Sequence, residues 1–228
     1  MRILLMSLIV FLCMQSYSLA TEPFKVPLAD EAARAPGFEI FREALLRAVI
    51  ARDIDEIIDR SNPFIHLDFG GGEGHDLLRT RLSHAVEPSN AGSSISDIEM
   101  SEELWLGLET ALRFGGVVRD NGREFSAPYT QGIDLPSDYH AYFAAYIPAS
   151  DVLVRDRPNR FGAPIDALGQ HVVQIIDQGH GTSYAKIDLG ADRTGWVHKD
   201  FLIWFTGYRA IFRFEDGSWS MTHLIAGD

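Results

Sequence analysis

The chain has 228 residues, and its 32 Asp and Glu outnumber its 20 Lys and Arg, which gives a net charge of −12 at neutral pH. A field of this sign repels nucleic acid and anionic lipid, and it favours a cationic partner or substrate. The single cysteine, Cys13, lies among the first 20 residues, so the rest of the chain has neither a disulfide nor a thiol nucleophile.

The first 20 residues predict a cleaved secretory signal peptide. A basic residue precedes an apolar run from Ile3 to Met14, and Ser18-Leu19-Ala20 is a small-x-small cleavage pattern. This run is shorter than the ~20 residues that span a bilayer, so we expect no membrane insertion. Leu12 precedes Cys13, where lipidation normally requires a small residue, which disfavours a lipid anchor. We therefore expect a soluble periplasmic protein that begins at Thr21 and has lost one positive charge, from −12 to −13.

Two helices are predicted early in the processed chain. Apolar residues recur at three- and four-residue spacing from Gly37 to Ala51, which is typical of an amphipathic helix. Asp53 and Glu56 form an N-cap pair that begins a second helix. Asn62-Pro63 ends it, because the residue before proline avoids helical angles.

A strand, a glycine-rich loop and a third helix follow. Residues Phe64 to Phe69 alternate between apolar and polar and predict the strand, and a helix is expected from His75 to Val86. Backbone N–H groups between a strand and a helix can hold an anion, and the loop is therefore a candidate site. The candidate residues of this loop are Asp68, Gly71, Gly72 and His75.

Two features weaken a ligand site in this glycine-rich loop. The sequence matches neither nucleotide-binding glycine pattern, and Glu73 and Asp76 add negative charge where a phosphate would lie. A tight turn, in which the glycines allow positive φ or close packing, is the favoured interpretation.

Histidines and carboxylates around the same loop raise the alternative of a metal site. His66 and Asp68 point to one face of the predicted strand, and His75 and Asp76 follow the loop. The H-x-D pattern is common by chance and the chain has no H-E-x-x-H motif, so we expect no metal and no cofactor. The sequence has no G-x-S-x-G nucleophile elbow either, and no catalytic residue is predicted.

A polar loop from Glu87 to Ser96 leads to a predicted helix near Ser101 to Phe114. Residues Val117 to Phe125 predict a hairpin, since Asn121-Gly122 suits a turn that requires positive φ. A strand is expected from Tyr139 to Ile147.

Residues 151 to 203 predict a small all-β barrel. Short β-branched runs are separated by glycine, proline and asparagine, with apolar strands at 171 to 177 and 183 to 189. The segment closes with Thr194-Gly195-Trp196-Val197-His198 and a short turn, and this pattern resembles a bacterial SH3-like (Src homology 3, SH3b) domain. The resemblance implies binding of cell-wall glycopeptide or peptide. Such domains are often fused to cysteine peptidases, but the required cysteine is absent here.

Barrels of this kind bind extended peptides across aromatic residues. We expect Tyr184 and Phe161 to be exposed for this purpose, whereas Trp196 suits the ligand groove and the core equally. The candidate ligand-binding residues are Phe161, His180, Tyr184 and Trp196.

The last residues predict a hairpin, with Tyr208 to Phe214 and Ser218 to Ile225 on either side of Asp216-Gly217. Its apolar face requires another layer, because an isolated hairpin is marginal in water. The processed chain as a whole resembles a family of exported bacterial proteins that join a helical part containing Phe69-Gly70-Gly71-Gly72 to this barrel. These proteins end in Gly227-Asp228 after a tryptophan-containing hairpin.

Together these patterns predict an α+β protein. The expected parts are a signal peptide (1–20), a helix-rich α+β domain (21–148), an SH3-like β-barrel (150–203) and a C-terminal hairpin (204–228) docked on the helix-rich part. The first hypothesis is a non-enzymatic periplasmic protein that recognises peptidoglycan or an envelope protein through the barrel. The alternatives are a cell-wall hydrolase with its site near Asp68 to Asp76, and an acidic inhibitor or immunity protein that binds a cationic wall hydrolase.

Overall fold

The computed structural model describes residues 21–83 and 97–227. The predicted signal peptide, the loop from Glu87 to Ser96, the last residues of the third predicted helix and Asp228 lie outside the described residues. About 31% of the chain is helix and 34% is strand, in two sheets, which confirms the α+β class. In the described part of the chain, no helix is both long and apolar enough to cross a membrane.

The described residues form four α-helices and thirteen strands. The helices are α1 (Phe38–Ala51), α2 (Ile54–Asp59), α3 (His75–Leu82) and α4 (Asp97–Arg113). The strands of the helix-rich part are β2 (Ser61–His66), β3 (Val117–Arg119), β4 (Glu124–Ala127), β12 (Arg209–Glu215) and β13 (Ser218–Ile225). The remaining strands are β1 (Phe24–Lys25), β5 (Ala144–Ile147), β6 (Val152–Arg155), β7 (Pro164–Leu168), β8 (His171–Asp177), β9 (Tyr184–Asp188), β10 (Thr194–His198) and β11 (Ile203–Trp204).

Local sequence signals account for several of these element boundaries. The Asp53 carboxylate accepts a hydrogen bond from the Glu56 backbone nitrogen at 3.1 Å, which confirms the predicted cap of α2. Asn121 and Gly122 both have positive φ in the turn between β3 and β4, as the predicted hairpin requires. Strand β2 begins earlier than predicted and contains Pro63, which an edge strand tolerates because one side of it needs no ladder donor.

The C-terminal hairpin forms the centre of a five-stranded sheet with the order β2-β13-β12-β4-β3. Strand β12 pairs antiparallel with β13 and β4, and β13 pairs parallel with β2. Helix α1 packs on this sheet through Phe38, whose ring centroid lies 4.2 Å from Phe125, 5.2 Å from Phe212 and 4.9 Å from Trp219. The helices and this sheet therefore share one apolar core.

The second sheet follows the order β11-β5-β8-β9-β10-β6-β7, and β1 pairs with β8. Strands β1 and β5 precede residue 150, so this sheet includes parts of the region predicted as the helix-rich domain. Strands β11 and β7 end the path and do not pair with each other, so the described residues form an open sheet and no closed barrel. A second apolar core lies on its inner face, around Val154, Ile187 and Val197.

Residues 21 to 28 run along the second sheet as an N-terminal strap. The Tyr139 hydroxyl donates to the Glu22 carbonyl at 2.7 Å, and the Tyr146 hydroxyl donates to the Val26 carbonyl at 2.8 Å. Burial raises the pKa of Tyr146 to about 12, with a smaller contribution from Tyr129. These hydroxyls therefore stay protonated and act as donors to the strap.

Candidate functional site

The glycine-rich loop is organised around the Asp68 carboxylate. It accepts hydrogen bonds from the Gly72 backbone nitrogen at 2.8 Å and from Arg81 at 2.6 Å, and Arg81 also donates to the Leu67 carbonyl at 2.8 Å. The Gly72 hydrogen bond and then Arg81 lower the pKa of Asp68. A Cβ at Gly72 would lie 2.1 Å from Oδ2 of Asp68, so a side chain there would displace the Asp68 carboxylate. Gly71 has a φ of +92°, which also favours glycine.

The histidines and carboxylates that were considered as metal ligands do not lie together in the loop. His75 Nε2 lies 3.0 Å from the Ser61 carbonyl, whereas the Asp68 carboxylate binds its own loop and Arg81. His66 faces elsewhere: its ring centroid is 4.8 Å from that of His223, and its Nδ1 is 3.7 Å from a Glu73 oxygen. Within residues 21–83 and 97–227, no group of three or more His, Cys, Asp or Glu is arranged to hold a metal ion.

The four aromatic and histidine candidates of the second sheet have different environments. Phe161 is 80% exposed in the loop between β6 and β7, with the Arg160 guanidinium 4.8 Å from its ring centroid. His180 is exposed in the β8–β9 turn, and Trp196 is half-buried. Tyr184 is buried, contrary to the expected exposure, because its ring packs edge-on against His198 at 4.9 Å.

Arg155 connects two of these candidates. It is paired with Trp196 across β6 and β10, and its guanidinium donates to the Gly162 carbonyl at 2.8 Å. Gly162 follows Phe161, so this hydrogen bond holds the exposed loop beside Trp196. His180 and Tyr184 belong to another turn and strand of the same sheet.

One surface contains Trp196 and two residues that were not predicted from the sequence. Alternation along β10 places Trp196 and His198 on the outer face and buries Gly195 and Val197 on the other. Phe201, which is 45% exposed, lies 6.3 Å from His198 between ring centroids. We call Trp196, His198 and Phe201 the outer aromatic face. Tyr184 supports it, since it is the register partner of His198 on β9.

Charged side chains of both signs border the outer aromatic face, and a carboxylate oxygen of Asp200 lies 3.4 Å from Nδ1 of His198. Lys186 is the register partner of Trp196, and among the described residues its ammonium group has no hydrogen-bond or ion-pair partner. Lys199 donates to the Gly179 carbonyl at 3.1 Å, and Arg155 holds the neighbouring loop. This face therefore combines aromatic rings with a free ammonium group in a chain that is acidic overall.

Comparison with other proteins adds no family to these observations. No protein-family model matches the chain. No curated protein matches it either. The functional assignment therefore depends on the chemistry of the side chains themselves.

Proposed function

We propose that this chain is a non-enzymatic periplasmic protein that recognises peptidoglycan or an envelope protein through an SH3-like domain. The domain comprises residues 150–203. Three features support the assignment of this domain. They are the Gly-Trp-Val pattern at residues 195 to 197, the succession of short antiparallel strands from β6 to β10, and the short turn after β10. The observation that carries the proposal is the outer aromatic face beside Lys186, whose ammonium group has no partner among the described residues.

The outer aromatic face suits an extended ligand that carries carboxylates. Flat rings provide apolar contact area at a low cost in conformational entropy, and a row of them on a sheet contacts consecutive units of a peptide. The Lys186 ammonium, next to Trp196, attracts a carboxylate of the ligand. Peptidoglycan stem peptides have both features, since they are extended and carry free carboxylates.

The hydrolase alternative receives less support from the loop around Asp68. A general acid at neutral pH requires a carboxyl group whose pKa is raised. The Gly72 and Arg81 hydrogen bonds act in the opposite direction and keep Asp68 ionised. The same contacts occupy its oxygens, so the residue stabilises the loop.

A sedimentation assay on purified peptidoglycan tests the proposal. We expect residues 21–228 to co-sediment with the wall polymer. Trp196→Ala combined with Phe201→Ala should weaken binding by at least about tenfold, because losing an exposed aromatic contact at a binding centre costs on the order of 1 to 2 kcal/mol. Lys186→Gln should weaken it less and make it less sensitive to salt.

Phe64→Ala is the matched control, since this ring is 71% exposed on β2 of the other sheet. It should leave binding unchanged. Thermal melts establish that each variant is folded. Equal binding by the control and the Trp196 and Phe201 variant would move the site elsewhere, and no binding by the parent protein would remove peptidoglycan as the ligand.

A further inference from the structure

A cleft of about 740 Å³ lies on the helix-rich part, away from the outer aromatic face. It is formed by the loop before α1, the junction of α2 with β2, the start of α3 and the turn between β12 and β13. Its volume is in the range of small-molecule binding sites. The lining of the cleft includes Phe41, Asp59, Arg60, Phe214, Glu215 and Asp216.

Aromatic rings form part of the cleft wall and are held in place by contacts behind them. Trp219 donates from its indole nitrogen to the Pro36 carbonyl at 2.9 Å and packs on Phe38. Phe214 lies 5.5 Å from Trp219 between ring centroids and is only partly buried. Phe41 is also partly buried and packs 6.0 Å from Phe38. The rings of this wall are therefore packed from behind and partly accessible from the cleft.

The charge of the cleft is negative. Asp59, Glu215 and Asp216 are exposed, and within the described residues their carboxylates have no hydrogen-bond or ion-pair partner. The basic groups of the lining are already engaged. Arg60 donates from Nε to Glu56 at 2.7 Å, and His75 lies 3.0 Å from the Ser61 carbonyl.

We infer that this cleft binds a lysine or arginine side chain of a basic protein. A cation gains from a partly desolvated aromatic face and from nearby carboxylates, and the cleft offers both at Phe214, Glu215 and Asp216, because Arg60 already covers the Phe41 ring. The chain contains an internal example of the same recognition, because the Arg60 guanidinium lies 5.8 Å from the Phe41 ring centroid while it pairs with Glu56. The net charge of −12 adds long-range attraction for such a partner.

None of the cleft residues belongs to the second sheet, so binding at the cleft is independent of the proposed wall-binding function. It gives the acidic-inhibitor hypothesis a specific surface. A basic wall hydrolase would present its lysine or arginine to the turn between β12 and β13.

Short peptides test the inference by isothermal titration at low salt. Acetyl-Lys-Lys-Lys-amide and acetyl-Arg-Arg-Arg-amide should bind residues 21–228 saturably, and acetyl-Gln-Gln-Gln-amide should not bind. Replacing three carboxylates, as Asp59→Asn, Glu215→Gln and Asp216→Asn, should weaken binding by at least about tenfold. Asn tolerates the positive φ of residue 216, so the turn is retained.

A matched variant separates a site from general attraction between charges. Asp134→Asn, Asp138→Asn and Asp192→Asn remove the same three charges at exposed positions outside the cleft. Binding that falls only with the cleft variant supports the inference. Equal losses in both variants, or no saturable binding of either cationic peptide, would overturn it.

Discussion

The backbone nitrogen of Thr21 donates a hydrogen bond to Oδ2 of Asp188 at 3.0 Å, although 167 residues separate the two. Thr21 is only 6% exposed, and Oδ1 of Asp188 accepts a second hydrogen bond from the Gly190 nitrogen at 2.9 Å. The sequence predicts cleavage between Ala20 and Thr21. In the processed protein this nitrogen would therefore be an α-ammonium group that faces a carboxylate.

Asp188→Asn should therefore destabilise the processed protein, residues 21–228. We expect a loss of about 1 to 2 kcal/mol in the free energy of unfolding, because a hydrogen bond to a charged group is replaced by a weaker one. Asp192→Asn is the control, since it removes an exposed carboxylate just beyond the same strand. Denaturant unfolding measures both variants. Equal stability of the two would show that the Thr21 contact contributes nothing.

Replacing Asp68 should change the stability of the protein by an amount that depends on pH. The Gly72 hydrogen bond and Arg81 hold the pKa of Asp68 below its ordinary value of 3.8, so ionisation favours the folded state. This contribution is fully present above pH 3.8 and is lost as the pH falls through the folded-state pKa. Asp68→Asn should therefore be less stable than the parent at pH 7, and the difference should shrink in acid.

Asp59→Asn is the control for the Asp68 experiment, because that carboxylate is exposed at the end of α2 and has no partner among the described residues. Its removal should not lower stability at either pH. A difference between Asp68→Asn and the parent that stays constant into acid would contradict the ionised role of Asp68.

Local signals in the sequence predicted local structure well. Asp53 and Glu56 fix the start of α2 through a contact over three residues, and Asp216-Gly217 fixes the turn between β12 and β13 because both residues have positive φ. The pairing of strands that are distant in the chain has no such local sequence signal. The pairing of β5 with β8, for example, depends on strands that begin 27 residues apart and join across the predicted domain limit.

In the candidate sites too, features set by neighbouring residues were predicted, and features set by distant contacts were not. Trp196 was predicted from its short motif, whereas His198 and Phe201 join it only because a turn after β10 brings Phe201 to 6.3 Å from His198. Alternation along β10 was the available signal for His198. The cleft could not be predicted, since Asp59 and Asp216 belong to segments that meet only when β13 pairs with β2.

His223 should cause a second dependence of stability on pH, because here the folded state favours the neutral form of the side chain. Burial lowers the pKa of His223. His66, Arg213 and Arg209 act in the same direction, and Glu124 opposes them. Glu73 faces the neighbouring ring, that of His66. The unfolded chain therefore binds a proton more readily, and stability falls as the pH drops below the ordinary value of 6.5. His223→Gln should reduce this loss between pH 8 and pH 5.5.

The control for the His223 experiment is His180→Gln, because His180 is exposed in the β8–β9 turn. Denaturation midpoints at both pH values provide the measurement. His66→Gln should also reduce the acid loss in part, since His66 is one of the groups that lower the pKa of His223. The His223 role would be refuted by a variant whose midpoint shifts with pH as much as that of the parent.

The C-terminal hairpin should be indispensable to the helix-rich part. Strand β12 lies between β13 and β4, so deleting residues 207 to 228 removes the centre of the five-stranded sheet and uncovers the Phe38 ring. We expect this truncated protein to aggregate or to lose its cooperative melting transition, because the exposed apolar core has no other cover. Phe212→Ala tests the same packing without removing backbone. It should cost about 3 to 5 kcal/mol, since the ring is fully buried.

Phe64→Ala is the matched substitution for Phe212→Ala, because its ring lies on the same sheet but is largely exposed. It should change the free energy of unfolding by no more than about 0.5 kcal/mol. Size-exclusion chromatography and thermal melts distinguish the outcomes for the truncated protein. If that protein stays monomeric and melts at the parent temperature, the hairpin is an appendage and the pairing of β12 with β4 contributes no stability.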